Sequence, residues 1–352
     1  MKITRLEFWT VGFPLREPYT IAYETISVVE NVFLRIVTDA GVTGIGSAAP
    51  DLPVTGETAE TVLSSLRLVE GALIGENPLH RTRLLEITRR LIPQQPSARA
   101  AIDLALHDLL GKVAKLPLWI LFGGERERIV TSITIGIMDI NSTVEHAREF
   151  VRQGFLALKL KGGASFESDI ESVLKVREAI GPGIEMRFDA NQGYTVEQAK
   201  MFVEKTLSAK LELLEQPTPK DRPGMMGTLS AHVSLPVMAD ESLMGLMDAF
   251  HLARADHADM VNVKLMKVGG LDEALQVNSV ARAAGIEVMI GCMDESALSI
   301  SAGLHFALGR PNVLYADLDG HLDLLDDPAA GAVILRDGYL YPNSLPGLGS
   351  EM

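Results

Sequence analysis

The sequence predicts an α/β fold, a closed barrel of parallel strands carrying a smaller α+β domain, and three observations predict it. From Arg128 onward, short apolar runs alternate with amphipathic helical stretches, the pattern of a parallel sheet covered by helices. Eight such runs stand at residues 130–135, 157–161, 185–189, 211–215, 237–240, 260–264, 287–290 and 313–316. Lys161, Asp189, Glu215, Asp240 and Lys264 follow one another at gaps of 28, 26, 25 and 24 residues, each at or near the end of an apolar run. That gap is one strand, one helix and their loops, so these charges fall at equivalent places of successive βα units. A doubly wound open sheet is the alternative that the alternation also permits.

The elements read as follows. Residues 3–9 and 31–37 alternate apolar and polar side chains, and the turn Asp39-Ala40-Gly41 leads into a third extended run at 42–48, an antiparallel meander. Helical stretches follow at 57–74, 81–91 and 97–114. In the last, Ile102, Ala105, Leu106 and Leu109 repeat at helical spacing behind Ser97 as N-cap. Residues 1–123 thus form the α+β domain and 124–325 the barrel. The barrel helices are expected at 143–153, 166–180, 195–207 and 271–284, several closed by a glycine (Gly154, Gly181, Gly285). The segment 326–352 alternates again around Asp337-Gly338 and is expected to return to the first domain as a hairpin.

The formal charge of −14 argues against a nucleic-acid or anionic-membrane partner, both of which need a positive surface. A single cysteine, Cys292, rules out an internal disulfide and fits a reducing cytoplasm. The N-terminal stretch has charges inside its apolar pattern and no signal-peptide core, and no run approaches the roughly 18 apolar residues of a membrane helix. The expectation is a soluble, cytoplasmic protein.

Strand C-termini ring one mouth of a parallel barrel, where residues serve chemistry. Asp189, Glu215 and Asp240 end runs that should be buried, and a buried carboxylate is costly unless paired or metal-bound. Any one of them could cap a helix or pair with a lysine; three in phase point to a hard cation with oxygen ligands, Mg2+. Lys159 and Lys161, two apart on a strand, point the same way, and Lys264 lies across the ring. A lysine near a metal and another cation should have a lowered pKa and serve as a general base. Lys159 and Lys267 also read as counter-charge to the carboxylates. Asp317 and Asp319 share a face at the end of the eighth run, suited either to an ammonium or to capping the turn before Gly320. Asp294 and Glu295 follow the seventh run; Glu295 reads as the start of a helix, and Asp294 stays open between pocket and helix. Thr134 and Met293 are further candidate substrate contacts. No GxGxxG follows a strand, and Lys161-Gly162-Gly163 is not a P-loop, so nucleotide binding has no support.

The ordered set KLK, FDAN, LLEQP, ADES, VNVKLMKVGG and ADLDG, with VTGET at residues 54–58, resembles the enolase superfamily, specifically its muconate-lactonizing branch. The Asp317-x-Asp319 pair resembles that of the dipeptide epimerases within it. The resemblance spans the chain and implies a (β/α)7β TIM-like barrel with an α+β capping domain built from the N-terminal region and the C-terminal tail. It also implies that Asp189, Glu215 and Asp240 bind Mg2+, which takes the substrate's C-terminal carboxylate. Lys161 and Lys264 would stand on opposite faces of the α-carbon, one removing its proton and the other returning one through an enediolate, with Lys159 stabilising charge. Asp317 and Asp319 would hold the N-terminal ammonium, and the loops around residues 20–24 and 50–56 would cover the mouth and read side chains. An assembly of identical subunits is implied as well.

The capping loop departs from that of the L-Ala-D/L-Glu epimerases, which often carry an arginine where this chain reads Ile21-Ala-Tyr-Glu24. Glu24, Asp51 and Asp294 suit a dipeptide with a basic or neutral end better than one ending in glutamate. Rival readings on the same scaffold are o-succinylbenzoate synthase, N-acylamino acid racemase or a cycloisomerase, which need no ammonium-binding pair, and an L-Ala-D/L-Glu epimerase, which does. Sugar-acid dehydration would want a histidine near the seventh run, where Gly291-Cys292-Met293 stands. A noncatalytic binding protein would show broken core positions, and none of the five is missing.

Overall fold

The computed structural model describes residues 1–21 and 24–352; for 18–21 and 24–26 the description covers the backbone alone. The candidate contact Glu24, and most of the loop at 20–24, therefore lie outside the described side chains. The first sheet is formed by β1 (Ile3–Ile21), β2 (Glu24–Thr38) and β3 (Thr43–Ala48), antiparallel in that order. The first two strands are far longer than the alternation at 3–9 and 31–37 suggested. Pro14 and Pro18 broke that pattern, but β1 is an edge strand, where a missing N–H costs no ladder bond, and the register shifts between Pro14 and Tyr19.

Four helices follow, α1 (Leu52–Thr55), α2 (Ala59–Leu73), α3 (Arg81–Leu91) and α4 (Pro96–Ala114). The sheet packs on α4 so closely that a Cβ on Gly44 or Gly46 would lie 2.2 and 2.1 Å from the carbonyl oxygens of Ala105 and Ala101. Ser97 is not the N-cap of α4. Glu57, some 40 residues away, accepts from the N–H groups of Ser97 and Ala98 at 2.8 and 3.1 Å, satisfying donors the helix end leaves open.

After α5 (Leu118–Leu121) and the short β4 (Ile129–Val130), the barrel begins with β5 (Ser132–Ile135), α6 (Ile140–Arg152) and β6 (Ala157–Lys161). It continues through α7 (Phe166–Ile180), β7 (Glu185–Asp189), α8 (Val196–Lys205), β8 (Leu214–Glu215), α9 (Pro223–Ser230), β9 (Val237–Ala239) and α10 (Leu246–Ala255). It ends with β10 (Met260–Lys264), α11 (Leu265–Val268), α12 (Leu271–Ala284), β11 (Glu287–Gly291), α13 (Ala297–Gly309) and β12 (Val313–Asp317). The eight strands pair in unbroken sequence order from β5 to β12. A doubly wound sheet reverses order at a switch point and is thereby excluded. A parallel bridge from Thr131 to Ala316 brings the two ends of the ring together, giving a (β/α)7β barrel. Arg187 fills its interior below the mouth, donating to Glu212 at 2.9 Å and to the Ala316 carbonyl at 2.8 Å.

The tail hairpin, β13 (Val333–Arg336) and β14 (Tyr339–Pro342), pairs with β4 at the foot of the barrel and not with the N-terminal sheet. Contact with the first domain comes after it, where the Leu348 N–H donates to Asp108 of α4 at 2.9 Å. Across the domain boundary the Ser47 and Ser299 hydroxyls meet at 2.6 Å, and the Ala49 N–H donates to the Met266 thioether at 3.3 Å. These contacts hang the loop carrying Asp51 beside the mouth. Among the described residues, no helix is long and apolar enough to cross a membrane.

His305 on the fully buried α13 gives the fold a pH dependence. Its Nδ1 accepts the Trp119 N–H at 3.1 Å, and burial pushes its pKa from 6.5 down to about 3. The unfolded chain therefore takes up the proton first. The group's contribution is whole above about pH 6.5 and drains away as pH falls toward the folded value. Between about pH 7 and pH 5 the loss is expected to reach about 2 kcal/mol. Urea unfolding of His305→Asn, which keeps an acceptor but does not titrate, should show a shallower pH slope; equal slopes would remove the assignment.

Candidate active site

The charged series converges at the C-terminal mouth of the barrel. Backbone pairing puts Lys161, Asp189 and Glu215 on one rung across β6, β7 and β8, and Lys264, Gly291 and Asp317 on another across β10, β11 and β12. Asp240 follows β9 directly. Lys159 is buried at the centre, its Nζ 2.8 Å from Glu215, 2.9 Å from Asp317 and 3.2 Å from Asp189. Lys161 is one-third exposed, with Nζ 3.4 Å from Asp189 Oδ2. Across the ring Lys264 Nζ donates to Asp240 Oδ2 at 2.9 Å, and Lys267 pairs with Asp240 Oδ1. The two candidate bases thus stand at the two ends of the carboxylate triad.

The electrostatics follow from burial set against these pairs. Burial would raise all three carboxylates. Asp189 is nonetheless held low by Lys161 and Lys159, and Asp240 lower still by Lys264 and Lys267. Glu215 has less compensation; burial together with Asp189 and Asp240 outweighs Lys159 and pushes it up to about 8. Burial would likewise lower Lys264, but Asp240 outweighs it, so with the protein's own charges this lysine is raised rather than lowered as the sequence suggested. Lys267 is the one that burial does depress.

The carboxylates of Asp189, Glu215 and Asp240 each offer an oxygen within 4.8 Å of the others. Asp189 Oδ1 is fixed by the Asn191 N–H at 3.0 Å, while Asp189 Oδ2 and Glu215 Oε2 face only the ammonium groups of Lys159 and Lys161. Three buried carboxylates converging on rigid strand ends, with their free oxygens balanced only by lysine ammonium groups, form a hard oxygen-ligand set that fits Mg2+.

Residues not singled out from the sequence hold these ligands. Gln216, buried with a left-handed φ of 34°, accepts the N–H groups of Asp240 and Ser242 at 2.9 and 3.1 Å and donates to Thr218 and Ser242. Asn262 donates to Glu215 Oε1 at 2.8 Å. The only signal in the sequence was a polar residue inside each of two apolar runs, LLEQP and VNVKL.

The remaining candidates are distributed as follows. Asp317 accepts from Lys159 and from Ser132 at 2.6 Å, and these outweigh burial to keep it low. Asp319 receives the backbone N–H of Thr134 at 2.7 Å and faces the Cys292 thiol at 3.8 Å; burial and Asp317 push it up to about 6. Thr134 thus enters the site through both its main chain and its side chain. Asp51 is the N-cap of α1, accepting the Val54 N–H at 3.0 Å. Met293 and Asp294 are partly buried on the loop after β11, where the Asp294 carbonyl accepts from Asn31 at 3.1 Å. Glu295 does not begin α13, whose N-cap is Ser296; its buried carboxyl accepts the Met293 N–H at 2.9 Å and is pushed up to about 8 by burial.

Residues 3–123 match the model of the mandelate racemase/muconate lactonizing enzyme N-terminal domain, and residues 142–352 that of the enolase C-terminal domain-like family. The chain belongs to the mandelate racemase/muconate lactonizing enzyme family of the enolase superfamily. Among its relatives is the L-Lys-D/L-Arg epimerase of Desulforapulum autotrophicum, 42% identical over 99% of both chains. The hydrophobic dipeptide epimerase of Enterococcus faecalis is 38% identical over 96% of this chain and 95% of that one. The dipeptide epimerase of Methylococcus capsulatus, solved with Mg and L-Arg-D-Lys, superposes with a TM-score of 0.95 at 39% identity, covering 99% of each chain. In this chain the buried acidic triad that fits a Mg2+ site lies at the strand ends described above, with Lys161 and Lys264 flanking it.

Proposed function

We propose that this chain is a Mg2+-dependent dipeptide epimerase that inverts the α-carbon of the C-terminal residue of an L,L-dipeptide. The observation that carries the reading is the placement of Lys161 and Lys264 at opposite ends of one buried carboxylate triad, 3.4 Å from Asp189 and 2.9 Å from Asp240. Epimerisation needs a base on one face of the stereocentre and an acid on the other. Bound by Asp189, Glu215 and Asp240, Mg2+ would supply positive charge against the anion that develops when the α-proton leaves. One of Lys161 and Lys264 removes that proton and keeps it while the other donates a different proton to the opposite face, and Lys159 adds a fixed positive charge beside the triad. Asp319, which meets Thr134 and the Cys292 thiol but no cation in direct contact, has capacity for the substrate ammonium; Asp317 shares its charge with Lys159.

The substrate end is basic or neutral. Asp51 and Asp294 supply negative charge around the mouth, to which Glu24 of the capping loop adds by its sequence, Thr134 and Met293 belong to the site, and relatives named for Lys-Arg and for hydrophobic dipeptides bracket that range. Identical subunits assemble, and the enzyme works in the cytoplasm, where Cys292 stays reduced.

The test is incubation in D2O with Mg2+ and a library of L,L-dipeptides ending in Lys, Arg, Leu or Glu. Deuterium should enter the α-position of the C-terminal residue with formation of the L,D product, at least about tenfold faster for basic or neutral ends than for Glu. Racemisation of an N-acylamino acid with no dipeptide turnover would replace this reading by the acylamino acid branch.

A further inference from the structure

Asp169 lies in the first turn of α7, 7% exposed, and one of its oxygens, Oδ2, accepts two hydrogen bonds. One comes from the Gly163 N–H at 2.9 Å and the other from the Tyr194 hydroxyl at 2.6 Å. Gly163 is in the turn directly after Lys161, and Tyr194 is in the loop after Asp189. The Tyr194 ring is wedged among Phe166, Phe188 and Phe202, with centroids at 5.7, 6.5 and 5.6 Å, so the hydroxyl has little freedom. Main chains touch at the same place. The Gly162 N–H donates to the Asp189 carbonyl at 2.8 Å, and a Cβ on Gly163, whose φ is 97°, would lie 2.1 Å from the Ala190 carbonyl oxygen. One buried carboxylate therefore ties the turn after a candidate base to the loop after a metal ligand. Packing does not do this alone, because a cavity of about 50 Å³ lies against Lys161, Ser165, Ser168, Asp169 and Phe188. Without the two bonds the turn has space to shift.

We propose that Asp169, with Tyr194, is a positioning residue: it fixes the turn after Lys161 and so the reach of Lys161 Nζ toward the substrate's α-carbon, leaving Lys264 unaffected. This rests on the two-lysine epimerase reading. Lys264 stands across the ring on β10, held by Asp240, and shares no bond with Asp169. The effect is therefore one-sided. Net epimerisation cannot reveal that, because the equilibrium constant makes any loss equal in the two directions. Exchange of the α-hydrogen with D2O can, since each epimer presents its hydrogen to only one lysine.

The experiment measures α-hydrogen exchange with Mg2+, starting separately from the L,L and the L,D dipeptide. Lys161→Ala first identifies the epimer whose exchange survives, the one served by Lys264. Asp169→Ala is then expected to slow exchange of the other epimer by about 10- to 100-fold, the cost of displacing a reacting group by about 1 Å, and to spare the first. Asp169→Asn, whose amide oxygen can accept both bonds, should recover most of the loss. Tyr194→Phe keeps the ring packing and should give a smaller deficit on the same epimer, and it carries the test if Asp169→Ala does not fold. Equal losses from both epimers, or no loss in either variant, overturn the inference while an active wild type leaves the epimerase reading standing. A wild type that exchanges neither epimer overturns both.

Discussion

Lys161→Ala and Lys264→Ala are each expected to lower epimerisation by about 10²- to 10⁴-fold, the usual worth of a positioned acid or base. That corresponds to about 3–5 kcal/mol of activation free energy. Inversion needs both faces of the α-carbon served, so neither lysine can do the work of the other. Each variant should still exchange the hydrogen that faces its surviving lysine, producing deuterated starting material without inversion. The two variants should therefore be mirror images, one exchanging only the L,L and the other only the L,D dipeptide. Their folding should differ as well. Lys161 is one-third exposed and shares Asp189 with the buried Lys159, so its loss leaves Asp189 paired. Lys264 is buried against Asp240, which Lys267 also holds, so its loss should cost more stability without unfolding the site. NMR of the α-hydrogen in D2O, with each epimer as starting material, checks this. Normal epimerisation by both variants would end the two-base assignment.

What the sequence revealed was what repeats. Lys161, Asp189, Glu215, Asp240 and Lys264 stand out because a charge at the end of a buried apolar run is conspicuous, and because βα units of similar length space them evenly. The strand order follows from the same regularity. What stayed hidden depends on partners far apart in the chain. Glu57 caps α4, Gln216 fixes Asp240 and Asn262 fixes Glu215, yet none of these pairings leaves a local pattern. Ser97 was a better local candidate for the cap than Glu57, and tertiary contact decided against it. Glu295 had the residue type for a first helical turn, but the chain turns back so that its carboxyl takes the Met293 N–H before the helix begins. The long β1–β2 ribbon was obscured by prolines that only an edge strand tolerates. The tail showed itself as a hairpin, but its pairing with β4 could be known only once the barrel's foot was in view.

Glu215→Gln and Asp240→Asn are expected to abolish Mg2+ binding alike and to affect stability to different degrees. Asp240 is held by two buried lysines, and neutralising it strands both, at a cost of about 3–5 kcal/mol. Glu215 is the poorly compensated anion of the triad, pushed up to about 8 by burial and by its acidic neighbours. Glutamine keeps the oxygen that Asn262 bonds but turns its NH2 toward Lys159, which keeps Asp189 and Asp317, so this variant should lose less stability than Asp240→Asn. The pH dependence carries the sign. A carboxyl raised from 4.5 to about 8 binds its proton more tightly in the folded state, so with a chelator the parent's stability should fall as pH rises through that window. With Mg2+, which needs the carboxylate, the gain from metal should grow over the same range and reach about 2.7 kcal/mol at a hundredfold excess over Kd. Glu215→Gln should flatten both trends. Denaturant unfolding across pH, with chelator and with Mg2+, reads all of this in one series. A Glu215→Gln protein that still gains stability from Mg2+ as the parent does would mean that the ion is held elsewhere, and the three strand-end carboxylates would then be an ion-pair network around Lys159 and nothing more.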